Sequence, residues 1–156
     1  MSAYAQEQAM VYKITSPLTG VVKTVYVKAG QVVKKGDLLL EYDASLINST
    51  LAAAQAKINM EAFNKSEAKK ELGRAEELYD RTVLSEYDLQ QAKLLYRKAV
   101  SQYASAKNEL VYAQWDEAHR KLYATFSGTV TAVFSYPGQY VNNQFSAQSL
   151  LLIEAK

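Results

Sequence analysis

Between Ala44 and Lys121 the chain has one glycine, Gly73, and no proline. Those two residues are the usual breakers of a helix, so a stretch of this length almost without them is held to helix. Its apolar residues recur in sevens. Leu89, Tyr96, Tyr103 and Leu110 form one series, and Ala92, Ala99, Ala106 and Ala113 form a second, a large-small seam of the kind that zips helices together. Upstream the matching seam is Leu51, Ile58, Leu72 and Tyr79 with Ala54, Ala68 and Ala75, interrupted by Glu61 and Lys65. The pattern predicts two helices of roughly 35 residues, each ~50 Å long, lying antiparallel with a turn between Asp80 and Ser85. Alanine at one position of each heptad lets the backbones come close, so the predicted pair is thin. A stripe of alanine and tyrosine at this spacing is core packing, and no ligand is assigned to it.

The predicted turn reads "RTVLSEYDLQ" at 81–90. Turns are normally polar and rich in Gly, Asn or Pro; this one has none of the three. Val83 and Leu84 stand where a narrow hairpin has no core of its own to cover them. Ser85 opens "SEYD", a Ser-x-x-Asp variant of the capping box, with its hydroxyl placed to accept from the free N–H groups of the second helix. A two-helix hairpin has one seam to bury and exposes the rest, which points to a partner along it or at its end.

The segments on either side have strand character and are copies of each other. Residues 11–43 are rich in Val, Leu, Tyr and Gly with short alternations such as "GVVKTVYVKAG", and the pattern returns after Leu122. An offset of 108 positions pairs Gly20 with Gly128, Val22 with Val130, Val25 with Val133, and "AGQVV" at 29–33 with "PGQYV" at 137–141. The "LLL" at 38–40 and at 150–152 matches with four further residues of offset. Neither copy is long enough to bury a core by itself, since a domain below about 40 residues usually needs a staple or a partner. Together they predict one small β-sandwich, with Gly30 and Gly138 supplying a positive φ at equivalent bends. The expected organisation is 11–43, a first half; 44–121, a helical hairpin with its turn near 81–84; and 122–156, a second half.

Charge and chemistry exclude more than they suggest. In 156 residues, 18 Lys and Arg stand against 16 Asp and Glu, and a net charge of +2 gives no argument for nucleic acid as a partner. There is no cysteine, hence no disulfide scaffold and no thiolate nucleophile or metal ligand. No apolar run approaches the roughly 18 residues needed to span a bilayer. His119 is the one histidine and falls at the end of the second helix, the place of a dipole partner. Ser127 in "FSGT" lacks the Gly-x-Ser-x-Gly elbow. Methionines 1, 10 and 60 are scattered rather than clustered for Cu(I). No catalytic residue, cofactor or metal is expected. Ala3-Tyr4-Ala5 before Gln6 has the small-x-small spacing at which a signal peptide is cut, one pointer to export beside the plainer reading of an arbitrary start.

The two strand halves resemble a lipoyl or biotinyl carrier domain: "KKGDLLLEYDA" matches the approach to that domain's hairpin. The lysine that would be modified at the hairpin tip is absent, and Ala44 opens the helical stretch instead. What remains is similar to the split lipoyl domain with an α-helical hairpin found in periplasmic adaptor proteins, also called membrane fusion or HlyD-like proteins. The resemblance covers residues 14–154 and implies an α+β fold: a split lipoyl-like β-sandwich, or barrel-sandwich hybrid, with a long antiparallel coiled-coil hairpin inserted. Adaptors that dock on TolC-type channels resemble one another in an Arg-x3-Leu-x6-Ser pattern around the turn. Here Arg74, Leu78 and Ser85 have those spacings.

The resemblance implies a periplasmic subunit linking an inner-membrane pump to a TolC-type outer-membrane channel, assembled as a hexamer, with Arg74, Leu78, Val83, Leu84 and Ser85 as the docking tip. The bland alternative gives Arg74 to an exposed helix face, Leu78 to packing beside the turn and Ser85 to a pure N-cap. Two other functions stay open: a carrier domain of an enzyme complex with an inserted arm, and a coiled-coil scaffold. Adaptors usually continue into a β-barrel and a membrane-proximal domain that grip the pump. The chain is therefore read as either a trimmed piece or a compact adaptor, with the pump class and the transported substrate unreadable.

Overall fold

The computed structural model describes residues 9–155; the Ala3–Gln6 stretch lies outside them. Strands β1 (Val11–Thr15), β2 (Gly20–Val25), β3 (Val32–Val33) and β4 (Leu38–Tyr42) lead into helices α1 (Ala44–Asp80) and α2 (Glu86–Ala118). Strands β5 (Lys121–Tyr123), β6 (Gly128–Val133), β7 (Tyr140–Val141) and β8 (Ser149–Ala155) follow. Two compact units result. One combines the residues up to Ser45 with those from Ala118 onward, and the other is Leu46–Glu117.

The strand unit is two antiparallel sheets of four strands, in the orders β1-β8-β6-β3 and β5-β4-β2-β7. Each sheet takes two strands from one half of the chain and two from the other, and exchanging the halves converts one sheet into the other. The hydrogen bonds obey the same exchange. Gly30 N donates to Val130 O and Val130 N to Gln31 O at 2.6 and 2.8 Å, while Gly138 N donates to Val22 O and Val22 N to Gln139 O at 2.8 and 2.9 Å. Both glycines sit at a φ of 88°, where an L side chain is strained. Each half pairs two of its own strands, β2 with β4 and β6 with β8, but its other two, β1 and β3 or β5 and β7, pair only with the opposite half, which is the physical reason that two copies separated by the helices fold as one body.

The "LLL" segments depart from the sequence expectation by one residue. Val22 pairs with Tyr42 and Val25 with Leu40, whereas Val130 pairs with Ile153 and Val133 with Leu151. Leu40 is thus equivalent to Leu151, and the second half carries three extra residues, not four, in the loop after Val141. Matching identical letters had set Leu40 against Leu152, which is only half buried; Leu151 is fully buried, like Leu40. Burial fixes strand register, because a slip of one residue turns every side chain to the other face. Val22, Leu39, Tyr42, Val130, Leu150 and Ile153 share this core. Tyr42 brings a hydroxyl into it, satisfied by Ser16 Oγ at 2.5 Å. Its phenol is held above the ordinary tyrosine range by burial.

In the second unit α1 and α2 run antiparallel. Lys57 Nζ meets Glu109 at 2.6 Å, and Lys65 Nζ lies 4.6 Å from the centre of the Tyr103 ring, so residues later in α1 face residues earlier in α2. Ala54, Ala75, Ala99, Ala106 and Ala113 are buried between them. Asp43 caps α1, accepting from Ser45 N at 2.9 Å. That N–H and the Ser45 hydroxyl hold the Asp43 carboxyl below its ordinary value. Midway, Glu61 is buried in the seam, its carboxylate accepting from Asn64 Nδ2 at 3.3 Å.

Candidate docking site at the helical turn

The turn is built from two caps placed back to back. At the end of α1, Thr82 N donates to Tyr79 O at 2.8 Å and Val83 N to Leu78 O at 2.9 Å. This is the Schellman arrangement, in which the residue after the C-cap takes a left-handed conformation and is usually glycine. Here it is Thr82, with a φ of 60°, the one non-glycine residue at positive φ among the described residues. A β-branched side chain is strained there. At the start of α2, Ser85 Oγ accepts from Asp88 N at 3.1 Å and lies 2.6 Å from Asp88 Oδ2. The Asp88 carboxylate thus takes the serine hydroxyl rather than reaching back to the Ser85 N–H, as the longer Glu of a full capping box does.

This geometry accounts for apolar residues on a solvent-exposed turn. Leu78 and Val83 occupy the two positions whose side chains commonly meet across a Schellman cap. The local contact leaves both accessible, with Val83 71% and Leu78 39% exposed. Arg74 and Arg81 form ion pairs with Glu71 and Glu77 of their own helix. Such exposed pairs add little stability. The last turn of α1 carries no basic residue, whereas Glu86 and Asp88 favour the first turn of α2.

Beside the turn the two helices enclose an open groove of about 690 Å³, walled by Arg74, Leu78 and Leu84 with Ala75, Ala92 and Leu95. Three of the five tip residues named from sequence meet in it. Val83 and Ser85 do not line it, and Ser85 reaches it only through Asp88. Leu95, 61% exposed, is the wall residue that the sequence reading passed over. Its signal was a position three residues beyond Ala92, as Leu78 is three beyond Ala75, which puts both leucines beside the seam rather than in it.

In the strand unit the most organised polar group is at the ends of β4 and α2. Glu41 accepts from the Tyr26 hydroxyl at 3.0 Å and is paired with Arg120. The tyrosine hydrogen bond first, and the guanidinium second, hold the Glu41 carboxyl below its ordinary value. Arg120 Nε has no hydrogen-bond partner. Among the described residues no group of three or more His, Asp or Glu side chains is placed to hold a metal ion, and no helix is long and apolar enough to cross a membrane.

A helix pair inserted between two halves of a two-sheet unit is the fold of membrane fusion and periplasmic adaptor proteins, which recur among the solved structures similar to this chain. A MacA–MexA chimeric protein containing the Pseudomonas aeruginosa MexA α-hairpin domain is 25% identical, with a TM-score of 0.57 over 94% of this chain and 48% of that one. The membrane fusion protein Spr0693 from Streptococcus pneumoniae R6 is 17% identical, with a TM-score of 0.61 over 94% of this chain and 62% of that one. Among curated sequences, an uncharacterized Haemophilus influenzae protein is 32% identical over 123 residues, 79% of this chain and 28% of that protein. The chain spans less than half the length of the curated relatives it matches. No protein-family model matches it.

Proposed function

We propose that the chain is the split lipoyl-like and hairpin part of a periplasmic adaptor, a non-enzymatic subunit that joins an inner-membrane transporter to a TolC-type outer-membrane channel for efflux or secretion. The strand unit is read as the barrel-sandwich hybrid of that family, and the helix pair as its coiled-coil hairpin. Arg74, Leu78, Val83, Leu84 and Ser85 make the channel-docking tip. The observation that carries this reading is the turn itself: two caps hold Leu78 and Val83 in water, next to a groove already walled by Leu84, Leu95 and Arg74.

Docking on other helix ends would remove that apolar surface from water at about 25 cal/mol per Å². The Arg74 guanidinium would exchange its exposed partner Glu71 for carbonyls at the partner's helix ends. A single tip binds weakly. A six-membered ring multiplies the contact through effective concentration.

The test is Arg74→Asp combined with Leu78→Ser in the full-length protein. Arg74 is exposed and Leu78 has only the cap contact and the groove wall to lose, so the fold should lose about 1 kcal/mol, while capture of a TolC-type channel and complementation of efflux are lost. Unchanged capture would leave the helix pair a scaffold. A mass increase on one lysine of the protein isolated from its source would instead establish the carrier reading.

A further inference from the structure

The groove beside the turn and the exposed side chains of Leu78 and Val83 are apolar, but the end of the helix pair that carries them is far from neutral. Between Lys70 and Lys93 the carboxylates of Glu71, Glu76, Glu77, Asp80, Glu86 and Asp88 stand against the two guanidinium groups of Arg74 and Arg81, a net −4 in a chain whose total is +2. The remaining residues therefore carry +6. Both arginines are neutralised where they stand, by Glu71 and Glu77, and Asp88 is taken up in the cap with Ser85. Glu76, Asp80 and Glu86 are different. All three are exposed, none forms an ion pair among the described residues, and none lines the groove. The apolar surface is bordered by an uncompensated negative field.

Two of those charges act against the helix that holds them. Asp80 is the last residue of α1 and Glu76 stands one turn before it, at the end where unpaired carbonyls gather partial negative charge and a cation is favoured. The last turn of α1 has no basic residue to offset them. Local stability alone would place lysine there. A charge kept at the expense of its own helix points to a role outside the chain.

We propose that the apolar groove and tip receive a channel helix end that is ringed by lysine or arginine: Leu78, Val83 and the groove take its apolar part, and Glu76, Asp80 and Glu86 face its cations. The inference rests on the channel-docking reading and adds to it the charge of the surface that is met. Carbonyls free to accept from Arg74 belong to a helix C-terminus, and lysine and arginine are the favoured neighbours of such an end. The two demands of the tip coincide there. Apolar contact is also non-directional, so an uncharged tip would meet a second tip of its own kind as readily as a channel. A charge of −4 on each opposes that pairing, while an oppositely charged partner is drawn in and its approach quickened. Among the described residues no three carboxylates are placed to hold a metal ion, which leaves the field to act on a partner's side chains.

The test uses the full-length protein and an immobilised TolC-type channel from the same cells, with association and dissociation read separately. For the parent, the association rate should fall about tenfold or more between about 50 mM and about 300 mM salt. Glu76→Gln with Asp80→Asn should raise the melting temperature, because it relieves the end of α1, and yet slow association several-fold at low salt while dissociation changes little. A structural role would move both readings the same way. Glu76→Lys with Asp80→Lys should slow association further, by about tenfold. An association rate that both variants leave unchanged overturns the proposal, and so does faster association with the lysines, which would mean an acidic partner. If Arg74→Asp with Leu78→Ser abolishes capture while the charge variants bind like the parent, docking stands and only the partner's charge is struck. A parent that captures no channel at either salt strikes the docking reading, and this inference falls with it.

Discussion

The strand unit and the helix pair solve opposite problems. In the strand unit each half lends strands to the other, Val22, Tyr42, Val130 and Ile153 are fully buried, and the buried hydroxyls of Ser16, Tyr42 and Ser135 are all hydrogen-bonded. In the helix pair the seam is mostly alanine, Leu78, Val83 and Leu95 stay in water, and charges such as Lys69, Glu76 and Arg97 form no ion pair among the described residues. The difference separates a surface that is closed from one that is unfinished. Substitutions in the first should act on stability, and substitutions in the second on association.

The largest effect should come from the internal symmetry of the strand unit, at the place where it fails. Gly20 and Gly128 are equivalent by sequence. A Cβ on Gly128 would stand 2.2 Å from Glu154 O, a backbone atom that cannot step aside, whereas a Cβ on Gly20 would meet only Leu18 Cδ1 at 3.2 Å and Tyr42 Cδ1 at 3.5 Å. Gly128→Ala should therefore cost about 3 kcal/mol, and Gly20→Ala well under about 1 kcal/mol. Urea denaturation of the two variants checks this. Equal losses would mean that the two halves pack alike and that the close approach of β8 has no consequence.

How much of this could be read from the residues depended on whether the local chemistry was periodic. The 108-residue offset brought out Gly30 and Gly138, because both the turn and its partner residue are repeated. The sevenfold recurrence of Ala99, Ala106 and Ala113 exposed the seam, since few folds other than paired helices use that period. The offset of the "LLL" segments was not legible: a run of identical residues aligns equally well at two registers, and only burial decides. Glu61 could be seen to interrupt the seam, but not that it is buried there, because Asn64 comes to its carboxylate only once the helix has formed. The groove was hidden by the habit of reading heptads as core alone, for Leu78 and Leu95 belong to neither series. Thr82 gave no signal, since threonine is not a residue that announces a left-handed turn.

That residue offers a smaller test of the contrast. Thr82→Gly relieves a strained φ but adds freedom to the unfolded chain, so it should stabilise the helix pair by about 0.5–1 kcal/mol. Thermal unfolding measures it. A loss of stability would show that the Thr82 hydroxyl, which donates to Arg81 O at 2.7 Å, outweighs the backbone strain. If channel capture falls while stability rises, the tip depends on that side chain.

The smallest effect is expected with acid. Glu41 and Asp43 have carboxyls held below their ordinary values, Glu41 chiefly by the Tyr26 hydroxyl and then Arg120, Asp43 by the Ser45 N–H and hydroxyl. A carboxyl whose folded value is depressed binds its proton more readily in the unfolded chain, so its contribution is complete above the ordinary range near about pH 4 and is lost as pH falls through the folded value. Both groups belong to the strand unit, so the dependence is expected there. Glu41→Gln keeps the shape and removes the titrating group, so it should lower stability in the neutral region, leave it little changed in acid, and thereby flatten the acid limb below about pH 4. If the limb stays as steep in that variant as in the parent, the Tyr26–Glu41–Arg120 cluster is not what couples the strand unit to pH, and the Asp43 cap is the remaining source to test.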